Sequence, residues 1–254
     1  MGKLQNKIAI VTGASRGLGA AIAINFAKEG ANVVVASLGT DESNPNLPGT
    51  MEETAAKIRA LGRKAITVAC DVTKEESVMN MVEVAVKEFG TIDVLMNNAG
   101  VAVYTPVIDL PVRHFDLVLA VNVRGTFLCC KHVAPVMIKK KSGAIINISS
   151  RAALNYIDKR GQVYGMAKAA IERFTYGFAA EMSEHNIAVN CIKPRATIST
   201  EGMRYWQKDP AVRASWDTTE MIEKGTLFLA QQDASHGVSG TVATDEQLCA
   251  WHSL

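Results

Sequence analysis

Tyr164 and Lys168, in the segment Tyr164-Gly-Met-Ala-Lys168, stand four residues apart in a pattern that runs helically through Ala180. Residues at that spacing share one helix face, so the phenol and the ammonium lie side by side. A free tyrosine, with a pKa of about 10, transfers protons poorly near neutrality. A neighbouring lysine ammonium stabilises phenolate, lowers that pKa and turns the phenol into a general acid/base. A bare Tyr-x-x-x-Lys pair is usually a surface or packing feature. The apolar run Ala144–Ile148 gives this one meaning, because it ends in Ser149-Ser150. Strand ends in open α/β sheets face the ligand crevice, where a serine hydroxyl can hold a carbonyl against the phenol. Either Ser149 or Ser150 could supply that hydroxyl. Tyr104, Tyr156, Tyr176 and Tyr205 have no lysine four residues on.

A second group carries binding chemistry. Ile8–Val11 runs into Thr12-Gly-Ala-Ser-Arg-Gly-Leu-Gly19, followed by a helical pattern from Ala20. Gly13, Gly17 and Gly19 let the backbone turn tightly and approach a diphosphate, which the free N–H groups of the following helix then face. The second apolar run ends in Ser37-Leu38-Gly39, without the carboxylate that usually binds a ribose 2′-hydroxyl. Arg16, inside the turn, suits a 2′-phosphate, since its planar fork bonds phosphate bidentately. Both features favour NADP(H) over NAD(H). Asp41 or Glu42 could fold back onto the ribose and reverse that preference.

These groups need a scaffold that brings strand ends together. Ile8–Val11, Val33–Ala36, Ala65–Ala69, Val94–Met96, Ala144–Ile148, Ile187–Ile192 and Gly240–Ala243 read as strands. Their continuous apolar character predicts a parallel sheet covered on both faces. Helical spacing fills the intervals, as at Ala20–Glu29, Glu52–Leu61 and Glu75–Phe89. Alternation from end to end predicts an α/β, doubly wound parallel sheet of about seven strands, a single domain over residues 1–254. The turn-rich loop Gly39–Gly49 is too short for a linker. Residues 194–216 read as a mobile flap carrying Met203, Tyr205, Trp206 and Trp216, which suggests an apolar or cyclic substrate.

Composition narrows the class. The chain has 254 residues, 48% hydrophobic and 20% charged, with a net charge of +2, too near neutrality for a nucleic-acid binder. No unbroken apolar run reaches the roughly 18–20 residues that span a bilayer, and the N-terminus lacks a signal layout, so no membrane is expected. The five cysteines include no Cys-x-x-Cys, and Cys70, Cys129, Cys130 and Cys191 sit in apolar surroundings. That pattern predicts free thiols and a cytoplasmic location. His114, His132, His185, His236 and His252 show no metal-ligand spacing, so no metal is expected.

The motifs TGASRGLG at 12–19, CDV at 70–72, NNAG at 97–100, VNVRGTF at 121–127, INISS at 146–150 and YGMAK at 164–168 occur in one order. Together they resemble the short-chain dehydrogenase/reductase superfamily in its compact, single-domain Rossmann form. The resemblance implies a catalytic tetrad of Asn122, Ser150, Tyr164 and Lys168. In it Lys168 also holds the nicotinamide ribose and Asn122 supports a proton relay. It implies cofactor contacts from Gly13, Ser15, Arg16, Gly17, Leu18, Gly19, Ser37, Val72, Ala99 and Gly100. Asp71 would lie near the adenine, Asn98 near its ribose, and Ile198 and Thr200 near the nicotinamide amide. An oxidised nicotinamide would add to Lys168 in lowering the phenol pKa. Closer similarity is to hydroxysteroid dehydrogenase-like proteins, in NPNLPGTMEETAAKIRALG and in Pro194-Arg195.

Three departures stand out. Ser150 precedes Tyr164 by 14 positions, one more than usual. Arg195 replaces a glycine beside the nicotinamide site, where it could meet a cofactor phosphate, a substrate carboxylate or solvent. The C-terminal segment lacks the usual Asp-Gly-Gly. The resemblance implies NADP(H)-dependent interconversion of a secondary alcohol and a ketone by a homo-oligomer, a tetramer or dimer, built through the helices after Val101 and Tyr164. Its rivals are an epimerase or dehydratase without net redox, and a catalytically silent NADP-binding regulator.

Overall fold

β-Branched, apolar segments form the centre because the sheet is covered on both sides and a pleated strand delivers alternate residues to each face. The structure, a computed structural model, describes residues 2–39, 47–154 and 160–254. Its strands are β1 (Ile8–Thr12), β2 (Asn32–Ser37), β3 (Ala65–Ala69), β4 (Val94–Asn97), β5 (Gly143–Ile148), β6 (Ile187–Lys193) and β7 (Val242–Thr244). They pair in parallel in the order β3-β2-β1-β4-β5-β6-β7. Strand order reverses between β1 and β4, which opens a crevice beyond their C-terminal ends. The Gly13 turn, Asn98, Ser150 and Pro194 all follow strands at that edge.

The helices are α1 (Gly17–Lys28), α2 (Met51–Ala60), α3 (Glu75–Phe89), α4 (Val112–Leu119), α5 (Gly125–Lys140), α6 (Gln162–Met182), α7 (Glu201–Trp206), α8 (Pro210–Arg213), α9 (Glu220–Leu229) and α10 (Asp245–His252). One core joins Val11, Val33 and Met96 to Ile22 and Phe26 of α1, Ile58 of α2, and Ile222 of α9. The other joins Ile10, Val34 and Leu95 to Met81 of α3, Val133 of α5 and Met182 of α6. Adjacent residues Ile10 and Val11 thus serve opposite faces.

Some boundaries move. α1 begins at Gly17, so Gly19 lies in its first turn rather than before it. β7 starts two residues later than expected, and residues 194–216 carry two short helices, α7 and α8. A single π-turn, Ala120–Arg124, joins α4 to α5, making one helical stretch, Val112–Lys140. By length and composition that stretch could cross a membrane, a feature that counting unbroken apolar runs missed. Half of its apolar window is buried in the protein.

Candidate active site

The glycine turn is built by close contact. Gly13 and Gly17 have positive φ (67° and 58°), the left-handed region that suits glycine. A Cβ on Gly19 would lie 2.3 Å from the Gly13 carbonyl oxygen and 2.5 Å from Asn98 Nδ2. Asn98 Nδ2 donates to the Thr12 and Gly13 carbonyls (2.9 and 3.2 Å), while the backbone N–H groups of Asn98 and Ala99 both donate to Thr12 Oγ1 at 3.1 Å. The Asn98 amide therefore pins the end of β4 to the turn. Gly17 N donates to the Glu201 carboxylate at 3.1 Å, so this helix start already receives an anion from the chain itself. Leu18 packs against the core below.

Ser15, Arg16, Ser37, Leu38, Gly39 and Met51 line a small cavity of about 170 Å³. Ser37 Oγ donates to Ser15 Oγ at 3.2 Å. The Arg16 guanidinium bonds the Leu47 carbonyl, folding the loop before α2 over the turn. Among the described residues no carboxylate lines this cavity; Asp41 and Glu42 lie outside them. Asp71, at the end of β3, accepts from Thr73 N (3.0 Å) and Thr73 Oγ1 (2.7 Å). The Thr73 hydroxyl bond is the main cause that holds its carboxyl below the usual range. Val72 packs against Gly125, where a Cβ would come within 2.7 Å of Val72 Cγ2.

The side chains expected to transfer protons converge across the crevice. Ser150 stands near enough to the Tyr164 phenol to favour its ionised form, and Ser150 Oγ accepts from Ala152 N at 3.2 Å, which orients the hydroxyl. Ser149 turns the other way: its buried hydroxyl donates to Glu172 Oε1 at 2.6 Å. The structure thus separates the two serines, bringing Ser150 to Tyr164. The loop insertion before Tyr164, with Tyr156, falls largely outside the described residues.

Lys168 is buried, and its Nζ donates to the Ile148 carbonyl at 2.8 Å and lies 5.6 Å from the Tyr164 ring centroid. Burial pulls its pKa down to about 8. Burial also pushes the Tyr164 phenol up to about 12, with a further rise from Tyr104 and a partial offset from Ser150. The expectation that Lys168 lowers the phenol pKa is therefore corrected: desolvation outweighs an ammonium turned toward Ile148. Asn122 lies in the π-turn, a helix distortion often found at functional sites. Its Nδ2 donates to the Val101 and Val118 carbonyls (2.8 and 2.9 Å). Its Oδ1 is buried and accepts no hydrogen bond among the described residues. A Cβ on Gly100 would meet Asn122 Oδ1 at 2.9 Å and Lys168 Nζ at 3.6 Å, so Gly100 sits against both groups.

A glycine cradle, a helix start holding a carboxylate and a serine–tyrosine–lysine cluster now stand on one sheet edge. The model of the short chain dehydrogenase family matches residues 7–211. The chain belongs to the short-chain dehydrogenase/reductase family. Members of this family are NAD(P)-dependent oxidoreductases acting on small molecules, and oligomers are common among them. Hydroxysteroid dehydrogenase-like protein 2 of Bos taurus is 41% identical over 203 residues, covering 80% of this chain and 48% of the relative. The chain spans about half the length of that curated relative. A short-chain dehydrogenase/reductase structure from Mycobacterium marinum aligns with a TM-score of 0.85 at 29% identity, over 95% of this chain and 94% of that one. A 7α-hydroxysteroid dehydrogenase complexed with NADH and 7-oxo glycochenodeoxycholic acid aligns at 0.84 and 31% identity, over 95% and 93%.

Motif reading of this short-chain dehydrogenase/reductase missed several residues at the site. Glu172 accepts from both Ser149 and Lys193 Nζ (2.8 Å), all three buried, and so ties α6, β5 and β6 together. Their signals were a charge on a buried helix face and a lysine ending an otherwise apolar strand. Tyr104 places its ring centroid 6.3 Å from that of Tyr164. Arg195, with 39% of its side chain exposed to solvent, is also held by the chain's own carboxylates. It bonds Asp217 through Nε (2.8 Å) and Nη2 (3.2 Å), and Glu246 through Nη1 (3.1 Å). Ile198 is buried and bridges to Asp217, while Thr200 Oγ1 caps α7 by accepting from Met203 N.

Proposed function

We propose that the chain interconverts a secondary alcohol and a ketone with NADP(H), Tyr164 acting as general acid/base. The observation that carries this reading is the gathering of Ser150, the Tyr164 phenol and buried Lys168, whose Nζ lies 5.6 Å from the Tyr164 ring centroid, at one strand end. A bound nicotinamide supplies or accepts the hydride. In reduction, Ser150 and Tyr164 donate hydrogen bonds to the substrate carbonyl, and Tyr164 delivers its proton as the oxygen gains charge. A phenol kept protonated by burial suits that direction. Lys168 holds the ribose and, with Asn122 behind it, returns a proton to the phenol.

Ser15, Ser37 and Arg16 at the end of β2 support a 2′-phosphate, hence NADP(H). Tyr104 beside Tyr164, and exposed Trp206 packed edge-on to Tyr205 (5.5 Å) on α7, support an apolar or cyclic substrate. An apolar groove of about 680 Å³ between α5 and α6, edged by half-exposed Phe127 and Met166, supports a homo-oligomer. Four buried free thiols support a reducing, cytoplasmic setting.

The test is NADPH consumption against a panel of cyclic ketones, with NADPH and NADH titrations of the parent and of Arg16→Ala. Stoichiometric oxidation of NADPH is expected, with NADPH binding weakened about 10- to 100-fold in Arg16→Ala and NADH binding unchanged. Substrate conversion without net NADPH loss would instead indicate epimerisation or dehydration. Preferential NADH binding would reverse the cofactor assignment.

A further inference from the structure

One carboxylate at the crevice stands where its charge conflicts with a dinucleotide. Glu201 opens α7, and its Oε2 accepts from Gly17 N at 3.1 Å. Gly17 N opens α1, where the N–H groups and the dipole face a diphosphate in dinucleotide-binding sheets. Thr200 closes over the same spot: a Cβ on Gly17 would lie 3.5 Å from Thr200 Cβ and 3.9 Å from Glu201 Oε2. The root of the 194–216 segment therefore rests on the glycine turn. One N–H cannot serve a carboxylate and a diphosphate together, and the two anions repel at contact distance.

The other oxygen of the same carboxylate already faces a cation one turn along α7. Arg204 Nη2 is 3.7 Å from Glu201 Oε1, and Arg204 Nη1 is anchored on the Ser199 carbonyl (3.1 Å) and hydroxyl (3.0 Å). Arg16, the cation inside the turn, is bonded to Leu47 instead. The cap of α7 is Thr200 Oγ1, so the helix does not need the Glu201–Gly17 contact to start.

We infer that Glu201 holds the place of the cofactor diphosphate: in the free protein its carboxylate is shared between Gly17 N and Arg204, and dinucleotide binding displaces it from Gly17, leaving it on Arg204 alone. This rests on the cofactor site proposed above. Glu201 is then a determinant of cofactor affinity, because only molecules that have released Gly17 accept the diphosphate and the apparent affinity falls by that fraction. The effect is equal for NADPH and NADH, which share the diphosphate. Arg16, by contrast, discriminates between them. Displacement also moves the start of α7, coupling cofactor binding to the segment that carries Met203, Tyr205 and Trp206.

The experiment is a fluorescence titration of the full chain with NADPH and NADH, using the parent, Glu201→Ala, Glu201→Gln, Arg204→Met and the Glu201→Ala/Arg204→Met double variant. Cofactor-free thermal melts verify that each variant folds. Glu201→Ala is expected to tighten both dinucleotides about two- to tenfold, the range for an anion at a helix start. Glu201→Gln, which keeps an acceptor but loses the charge, should give a smaller gain. Arg204→Met should weaken binding in the parent background and change nothing once Glu201 is alanine. Unchanged or weaker binding in a folded Glu201→Ala variant overturns the inference, as does an Arg204→Met effect equal in both backgrounds. Binding that appears only in Glu201→Ala supports it. If no variant binds either dinucleotide, the cofactor reading falls and the inference with it.

Discussion

The floor of the site and the segment above it are held by opposite kinds of bond. Beneath Tyr164, the polar contacts are buried: Lys168 on the Ile148 carbonyl, and Ser149 and Lys193 on Glu172. Over the glycine turn, the 194–217 segment is held by half-exposed charges: Arg195 on Asp217 and Glu246, and Glu201 on Gly17 N and Arg204. Buried charges are costly to separate, whereas exposed pairs contribute little and are screened by salt. The difference assigns the tasks. Under the proposed function, groups that meet a reacting carbonyl in one geometry sit on the rigid floor, and the part that admits a dinucleotide is tied by bonds easily exchanged.

The comparison is attacked hardest at the phenol. Tyr164→Phe keeps the packing and removes the proton donor, so ketone reduction should fall about 10²- to 10⁴-fold with the melting temperature little changed. Full activity in that variant would remove the floor's chemical role.

The floor's rigidity is tested next at Glu172. Glu172→Leu leaves Lys193 buried without its partner and should destabilise the fold by about 3–5 kcal/mol in denaturant melts. Glu172→Leu with Lys193→Met should recover most of that loss, since apolar replacements of a buried pair are often neutral. A single variant as stable as the parent would place Glu172 among the exchangeable charges.

Lys168 offers a smaller and pH-dependent effect. Its folded pKa of about 8 lies below the ordinary lysine value of 10.5, so folding disfavours the charged form. The penalty is complete below pH 8 and fades as pH rises through 10.5. Lys168→Met removes roughly 3 kcal/mol of it at neutral pH and loses a hydrogen bond worth about 1 kcal/mol. The variant should be more stable by about 2 kcal/mol at pH 7, with the gain shrinking toward pH 10.5 in paired melts. A gain that grows with pH would contradict the assignment.

Smallest on stability is Arg195→Ala. The global melt should hardly move, but limited proteolysis should cut residues 194–217 faster, and added salt should narrow the difference. Equal cleavage rates would mean that packing, not these charges, holds the segment.

Much of this contrast was legible in the sequence, in an uneven way. Apolar runs marked every strand, and the residues after them marked the crevice edge. Tyr164 and Lys168 followed from helical spacing. Spacing did not settle Ser149 against Ser150, because neighbours point to opposite sides and what takes Ser149 away from the crevice is a bond to Glu172, 23 positions on. Glu172 and Lys193 lie on a helix and a strand 21 positions apart, so each charge was visible and the pairing was not. The same holds for Arg195, whose carboxylates come from 22 and 51 residues downstream. The raised Tyr164 pKa required burial, which a four-residue spacing does not encode. At Gly17, the start of α1 was visible as a turn, but the carboxylate seated on it arrives from 184 residues away.

Isotope transfer follows the proposed hydride step itself and its dependence on the Tyr164 cluster. Parent and Tyr164→Phe proteins would be incubated with cyclic ketones and NADPH carrying deuterium at C4, prepared separately on each face. The account predicts one deuterium at the carbinol carbon of the product, from one face only, in the parent and almost none in Tyr164→Phe. NADPH that binds while no label moves, or product formed without label from either face, would contradict it.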